Sequence, residues 1–111
     1  MEESLITYRL KDNSHNYKVH SFDEITEKEK VVYLDCSGSF NSLMRPSLTI
    51  IDLSYYPILE VLYCFYNKLT ELNISQCPLI ERLYCFNNQL TSLDLSQVSL
   101  KSRFLYENCP L

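Results

Sequence analysis

The chain has 111 residues, 46% of them hydrophobic and 22% charged. That is enough for one domain with one modest core, and it excludes wholesale disorder. The formal net charge of -4 argues against a nucleic-acid backbone as the direct ligand, because such binders carry basic patches, and it is compatible with a basic protein partner.

From the N-terminus, "MEESLITYRLKDN" has no basic n-region, no apolar h-region and no cleavage site. No apolar run reaches the length that spans a bilayer. The expected address is therefore the cytoplasm, with no membrane partner. Five cysteines, an odd count without a secretion signal, argue against a disulfide framework there. The sequon at Asn73 to Ser75 has no meaning at that address.

"SLITYRL" and "NYKVHSF" read as β-strands flanking the turn-rich "KDNSH", which predicts a hairpin with His15 and His20 on its surface. "SFDEITEKEK" follows, with Ser21 or Asp23 as N-cap and acids in the first turn, and predicts a short helix. Residues 1–30 are thus expected to form an N-terminal cap.

Beyond residue 30 the chain repeats itself every 21 residues. "LTIIDLS" from Leu48, "LTELNIS" from Leu69 and "LTSLDLS" from Leu90 are three copies of one half-unit. "LEVLYCFYNKL" from Leu59 and "IERLYCFNNQL" from Ile80 are two copies of the other. In "VYLDCSGSF", Leu34 and Cys36 lie 28 residues before Leu62 and Cys64, so an insertion of seven residues is expected around Gly38 to Arg45. In the last unit Phe104 and Leu111 fall in register, whereas Tyr106 and Cys109 replace the expected Cys and Asn. This degenerate unit reads as a terminal cap.

The pattern L-x-x-L-x-C-x-x-N-x-L resembles the leucine-rich repeat family. The full unit is similar to its short, 21-residue bacterial form, with "LDLS"-type endings followed by Pro57 and Pro78. The resemblance covers residues 31–111. It implies an α/β-type solenoid, mostly β, of about four coils, with a parallel β-sheet closed by the hairpin/helix cap. Each coil would supply one strand.

Side chains alternate between the two faces of a strand. In that register Leu59, Leu62, Cys64, Ile80, Leu83 and Cys85 point inward, with Leu69, Leu72, Ile74, Leu90, Leu93 and Leu95 filling the rest of the core. Asn67 and Asn88 sit where the family places an inward asparagine, whose amide satisfies turn N–H and C=O groups. The cysteines read as small, reduced core residues. With no C-x-x-C pair and no histidine in the repeats, no zinc site is expected.

The outward positions stack Val61 with Arg82 and Arg103, Tyr63 with Tyr84, and Phe65 with Phe86. Tyr66 and Asn87 follow at the strand exits, and Tyr33 and Asp35 extend the face at the first coil. An exposed strip of Tyr, Phe and Arg has the composition of a binding hot spot. The candidate partner-binding residues are therefore Tyr33, Val61, Tyr63, Phe65, Tyr66, Arg82, Tyr84, Phe86, Asn87 and Arg103. The competing reading is that aromatic stacking only stabilises the sheet, or that the cap or a second copy covers it.

Catalysis needs a nucleophile or acid–base set gathered in a pocket. Glu60, Glu71, Glu81 and Asp94 are spread along the repeats, Ser37-Gly38-Ser39 lacks the spacing and lysine of a phosphate loop, and both histidines lie before residue 31. No enzyme and no cofactor are expected. The family resemblance implies protein binding. The expected function is a non-catalytic, cytoplasmic module acting by stoichiometric occupancy on a larger protein, such as a nuclease or ribonucleoprotein. A phage-type inhibitor of a bacterial CRISPR defence nuclease would suit its size and acidity. Two other classes fit part of the pattern: a structural or adaptor repeat block with weak self-association, and an RNA or ribonucleoprotein binder using stacked aromatics.

Overall fold

The computed structural model describes residues 6–38, 48–94 and 96. Strand β1 (Ile6–Leu10) turns back through residues 11–15 into β2 (Asn16–Val19), with Ile6 opposite Val19 and Arg9 opposite Asn16. The turn chemistry explains the reversal. Asp12 takes the left-handed conformation (φ 62°) that a short polar side chain tolerates, and the Asn13 side-chain oxygen accepts the His15 N–H at 2.8 Å. Both histidines are exposed.

Where one helix is predicted over residues 21–30, the chain makes two single 3-10 turns, Phe22–Glu24 and Lys28–Lys30. Ser21 is extended and its side chain caps nothing. Ile25, extended at φ -84° and ψ 112°, leaves the first turn to bury its side chain in the core. One apolar anchor placed there forbids the hydrogen-bonded nucleus that an α-helix needs to propagate.

The chain then enters β3 (Val31–Asp35), β4 (Val61–Tyr63) and β5 (Arg82–Tyr84). The five strands make one sheet in the order β2-β1-β3-β4-β5. β1 is antiparallel to both β2 and β3, while β3, β4 and β5 run parallel. Tyr33 pairs with Val61 and Val61 with Arg82, so the offsets read in the sequence are the pairing register.

The expected fold class is corrected by this topology. In place of an α/β-type leucine-rich repeat solenoid with a parallel sheet and a hairpin/helix cap, the chain forms a mixed five-stranded sheet with no α-helix among the described residues. The reason is physical: β1 satisfies the open edge of β3 by direct hydrogen bonding, so the hairpin becomes part of the sheet. Leu95, Arg103, Cys109, residues 39–45 of the expected insertion and the degenerate final unit lie outside the described residues.

Beneath the sheet lies one apolar cluster. Leu34, Leu62 and Leu83 form its central row, with Cys36, Cys64 and Cys85 beside them, all fully buried. Leu59, Ile80, Leu69, Leu72, Ile74 and Leu90 are buried as the repeat pattern predicts, and Leu93 is partly so. Cys36, Cys64, Cys77 and Cys85 are buried thiols. Tyr56 takes the place one repeat before Cys77. Its ring is buried, its hydroxyl has no hydrogen-bond partner among the described residues, and desolvation drives the phenol well above its ordinary pKa. The Cys77 thiol donates to the Leu53 carbonyl at 3.5 Å and is pushed up to about 11 by burial.

Each repeat closes on an Asx turn. The side-chain oxygens of Asp52, Asn73 and Asp94 accept the N–H groups of Ser54, Ser75 and Ser96 at 3.0, 3.0 and 2.9 Å. Bonds from the serine hydroxyl and N–H hold the Asp52 and Asp94 carboxyls below the usual range. A carboxyl depressed in the folded state adds stability that is fully present above its unfolded pKa of about 3.9 and is lost as pH falls through the folded value. Asp52→Asn with Asp94→Asn, copying Asn73, is therefore expected to flatten the acid limb of Tm against pH. Thermal melts from neutral pH downward check this, and an unchanged acid limb would contradict it.

Candidate binding face

The register fixes which residues share the face opposite the core. Directly paired residues lie on one side, so Asn16, Arg9, Tyr33, Val61 and Arg82 form one row across the five strands, and Lys18, Thr7, Asp35, Tyr63 and Tyr84 the next. Phe65 and Phe86 continue the face past the strand ends, followed by Tyr66 and Asn87.

Six rings form a continuous cluster there. Tyr63 stacks on Tyr84 with centroids 4.6 Å apart at 28°, and Phe65 on Phe86 at 4.7 Å and 4°. These separations match the spacing of neighbouring strands, about 4.8 Å, so the backbone ladder sets the ring stack. Tyr33 meets Tyr63 edge-on at 5.8 Å, and Tyr63 meets Phe65 at 5.9 Å. Tyr66 stands edge-on to both Phe65 and Phe86, at 5.6 and 6.1 Å. All six rings are half-buried. The Arg9 guanidinium carbon sits 4.9 Å from the centre of the Tyr33 ring. Desolvation chiefly, then Asp35 and Tyr63, raises the Tyr33 phenol, and Arg9 opposes the shift.

The backbone under the rings is tightly determined. Tyr66 and Asn87 both have φ 56°, left-handed geometry that asparagine tolerates and tyrosine rarely adopts. Below them the side-chain amide of Asn67 donates to the carbonyls of Cys36, Cys64 and Phe65 at 3.1, 3.1 and 3.3 Å, and its oxygen accepts the Leu48 N–H at 2.9 Å. Asn88 repeats this with Cys64, Cys85, Phe86 and the Leu69 N–H. Gly38 donates its N–H to the Phe65 carbonyl at 2.8 Å. A Cβ at Gly38 would lie 1.9 Å from the Tyr66 carbonyl oxygen.

Of the sequence-predicted residues, Tyr33, Val61, Tyr63, Phe65, Tyr66, Tyr84 and Phe86 come together in this patch. Arg82 and Asn87 stand exposed at its border, and Arg103 lies outside the described residues. The sequence reading missed Arg9, Thr7, Asn16 and Lys18. Alternation in "ITYRL" sets Thr7 and Arg9 apart from Tyr8, but nothing local announces that β1 pairs with β3.

Among the described residues paired across the strands, the face carries three cations, Arg9, Lys18 and Arg82, against one carboxylate, Asp35, on a chain whose net charge is -4. Glu60 and Glu81, half-buried, lie one residue before Val61 and Arg82, outside the strands. A cavity of about 410 Å³ beside Ile25 and Tyr55, and another of about 300 Å³ beside Ile50 and Glu71, share no residue with the aromatic patch. Among the described residues no three His, Cys, Asp or Glu side chains are grouped so as to hold a metal ion, and no helix is long and apolar enough to cross a membrane. No protein-family model matches the chain, and no curated protein or solved structure is similar to it.

Proposed function

We propose that the chain is a cytoplasmic, non-catalytic protein-binding module that acts by stoichiometric occupancy, as an inhibitor of a larger partner protein docked on the aromatic face. The observation that carries this reading is Tyr66. It adopts φ 56°, the same left-handed conformation in which the next repeat uses Asn87. Left-handed geometry costs a non-glycine residue roughly 1–2 kcal/mol, and asparagine least. A tyrosine kept there, with its ring half-exposed against Phe65 and Phe86, has a reason if the ring is an anchor for a partner. The resemblance of the repeat to leucine-rich repeats, which mostly bind proteins, weighs the same way.

The test exploits opposite signs. Tyr66→Asn is expected to raise Tm by a few degrees, roughly 1 kcal/mol of stability, while weakening binding at least tenfold. Tyr63→Ala with Tyr84→Ala should abolish binding in a protein that still melts cooperatively. The partner is taken from lysate of the source organism with the wild-type chain and identified by mass spectrometry. It is then titrated with each variant, and its activity should be lost at one-to-one stoichiometry. Equal binding by wild type and both variants, or inhibition at far below equimolar amounts, would defeat the proposal.

A further inference from the structure

Building on that reading, we infer that the segment received by this face is an acidic polypeptide with apolar side chains, and not a nucleic acid. Charge supplies the first argument. Among the described residues paired across the strands on this face, three cations, Arg9, Lys18 and Arg82, stand against one carboxylate, Asp35, which already accepts the Ser37 N–H at 3.0 Å. Arg9 lies over Tyr33, with its guanidinium 3.4 Å from the Asn16 side-chain oxygen. A guanidinium fixed in this way keeps further N–H donors for a carboxylate, which it takes in bidentate fashion. The partner surface that complements the face is therefore anionic, opposite in sign to what the net charge of the chain alone suggests.

Ring geometry separates an acidic protein from a nucleic acid. Single-stranded nucleic acids are held by bases stacked on aromatic faces. Here the rings cover one another. Phe65 and Phe86 are parallel within 4°, Tyr63 lies on Tyr84, and Tyr66 closes edge-on against the phenylalanine pair. Each of these four stacked rings has one face taken by its neighbour, which leaves fewer faces for a base. Aromatic edges carry the positive side of the ring quadrupole. They meet backbone carbonyls, carboxylates and the faces or sulfurs of incoming aromatic and methionine side chains, all of which a polypeptide supplies.

The test is selection from random 12-residue peptides displayed on phage against the full-length chain, with a 20-nucleotide uridine oligomer measured in parallel. Selected sequences should be enriched in Asp and Glu together with Phe, Leu or Met. Their affinity should fall at least tenfold on Arg9→Gln with Arg82→Gln, variants whose melts show the fold intact. Pools that remain random, turn basic or lose all charge overturn the inference, as does tighter binding of the oligomer than of any selected peptide. Uncharged or basic peptides that still depend on Tyr63 and Tyr84 would overturn the acidic chemistry and leave the docking face standing. Peptides indifferent to Tyr63→Ala with Tyr84→Ala would overturn both.

Discussion

Gly38→Ala is expected to cost about 3 kcal/mol, at the upper end of overpacking penalties, and to lower Tm by roughly 12 °C. The added carbon would sit 1.9 Å from the Tyr66 carbonyl oxygen and 3.0 Å from its carbon. Both are backbone atoms, so no rotamer change relieves the collision. The chain must instead move apart where Gly38 donates to Phe65 and Tyr66 donates to Phe86. Those bonds hold the left-handed turn that carries the Tyr66 ring, so binding should fail with stability. Urea denaturation measures the effect. A loss below 1 kcal/mol would mean that these strand ends separate cheaply and that Gly38 does not hold Tyr66 in place.

The second large effect is expected at Asn67, buried to 6% exposure. On Asn67→Ala, Cys64 still accepts the Asn88 amide and Phe65 still accepts the Gly38 N–H. The Leu48 N–H and the Cys36 carbonyl lose the partner that Asn67 gave them. A hydrogen bond contributes a net ~0.5–1.5 kcal/mol and Asn67 gives up four, so a total of about 4 kcal/mol is expected. Asn67→Asp keeps the shape but turns a second oxygen toward three carbonyl oxygens, and should lose at least as much. Asn88→Ala should lose less, because Asn88 is only half-buried and water can replace its amide. Equal stability of Asn67→Asp and wild type would show that the site works by shape alone.

The division between inside and outside was legible in the sequence because a 21-residue repeat aligns side chains that alternate along each strand. Leu62 and Leu83, Cys64 and Cys85 fall inward, while Tyr63, Tyr84, Phe65 and Phe86 share the other face. The inward asparagines were expected from the resemblance to leucine-rich repeats rather than from alternation, and their amides do bond the carbonyls of Cys36, Cys64 and Cys85. The fold class was not legible. It turns on β1 pairing antiparallel with β3, a contact between unlike segments that periodicity does not encode, and on Ile25 ending a helix before it starts. That pairing also hid Arg9 and Lys18 from the candidate site, and with them the sign of its charge. The strain at Tyr66 was equally hidden, because tyrosine is not a residue that announces a left-handed turn.

The chain contains no tryptophan, so tyrosines and phenylalanines carry all its near-ultraviolet absorption. Tyr63 with Tyr84 and Phe65 with Phe86 are held as close, fixed, chiral pairs, an arrangement that couples their electronic transitions. Near-ultraviolet circular dichroism should therefore draw much of its intensity from the aromatic face itself. Occupancy of that face becomes an optical readout intrinsic to the protein, requiring neither a label nor an engineered reporter.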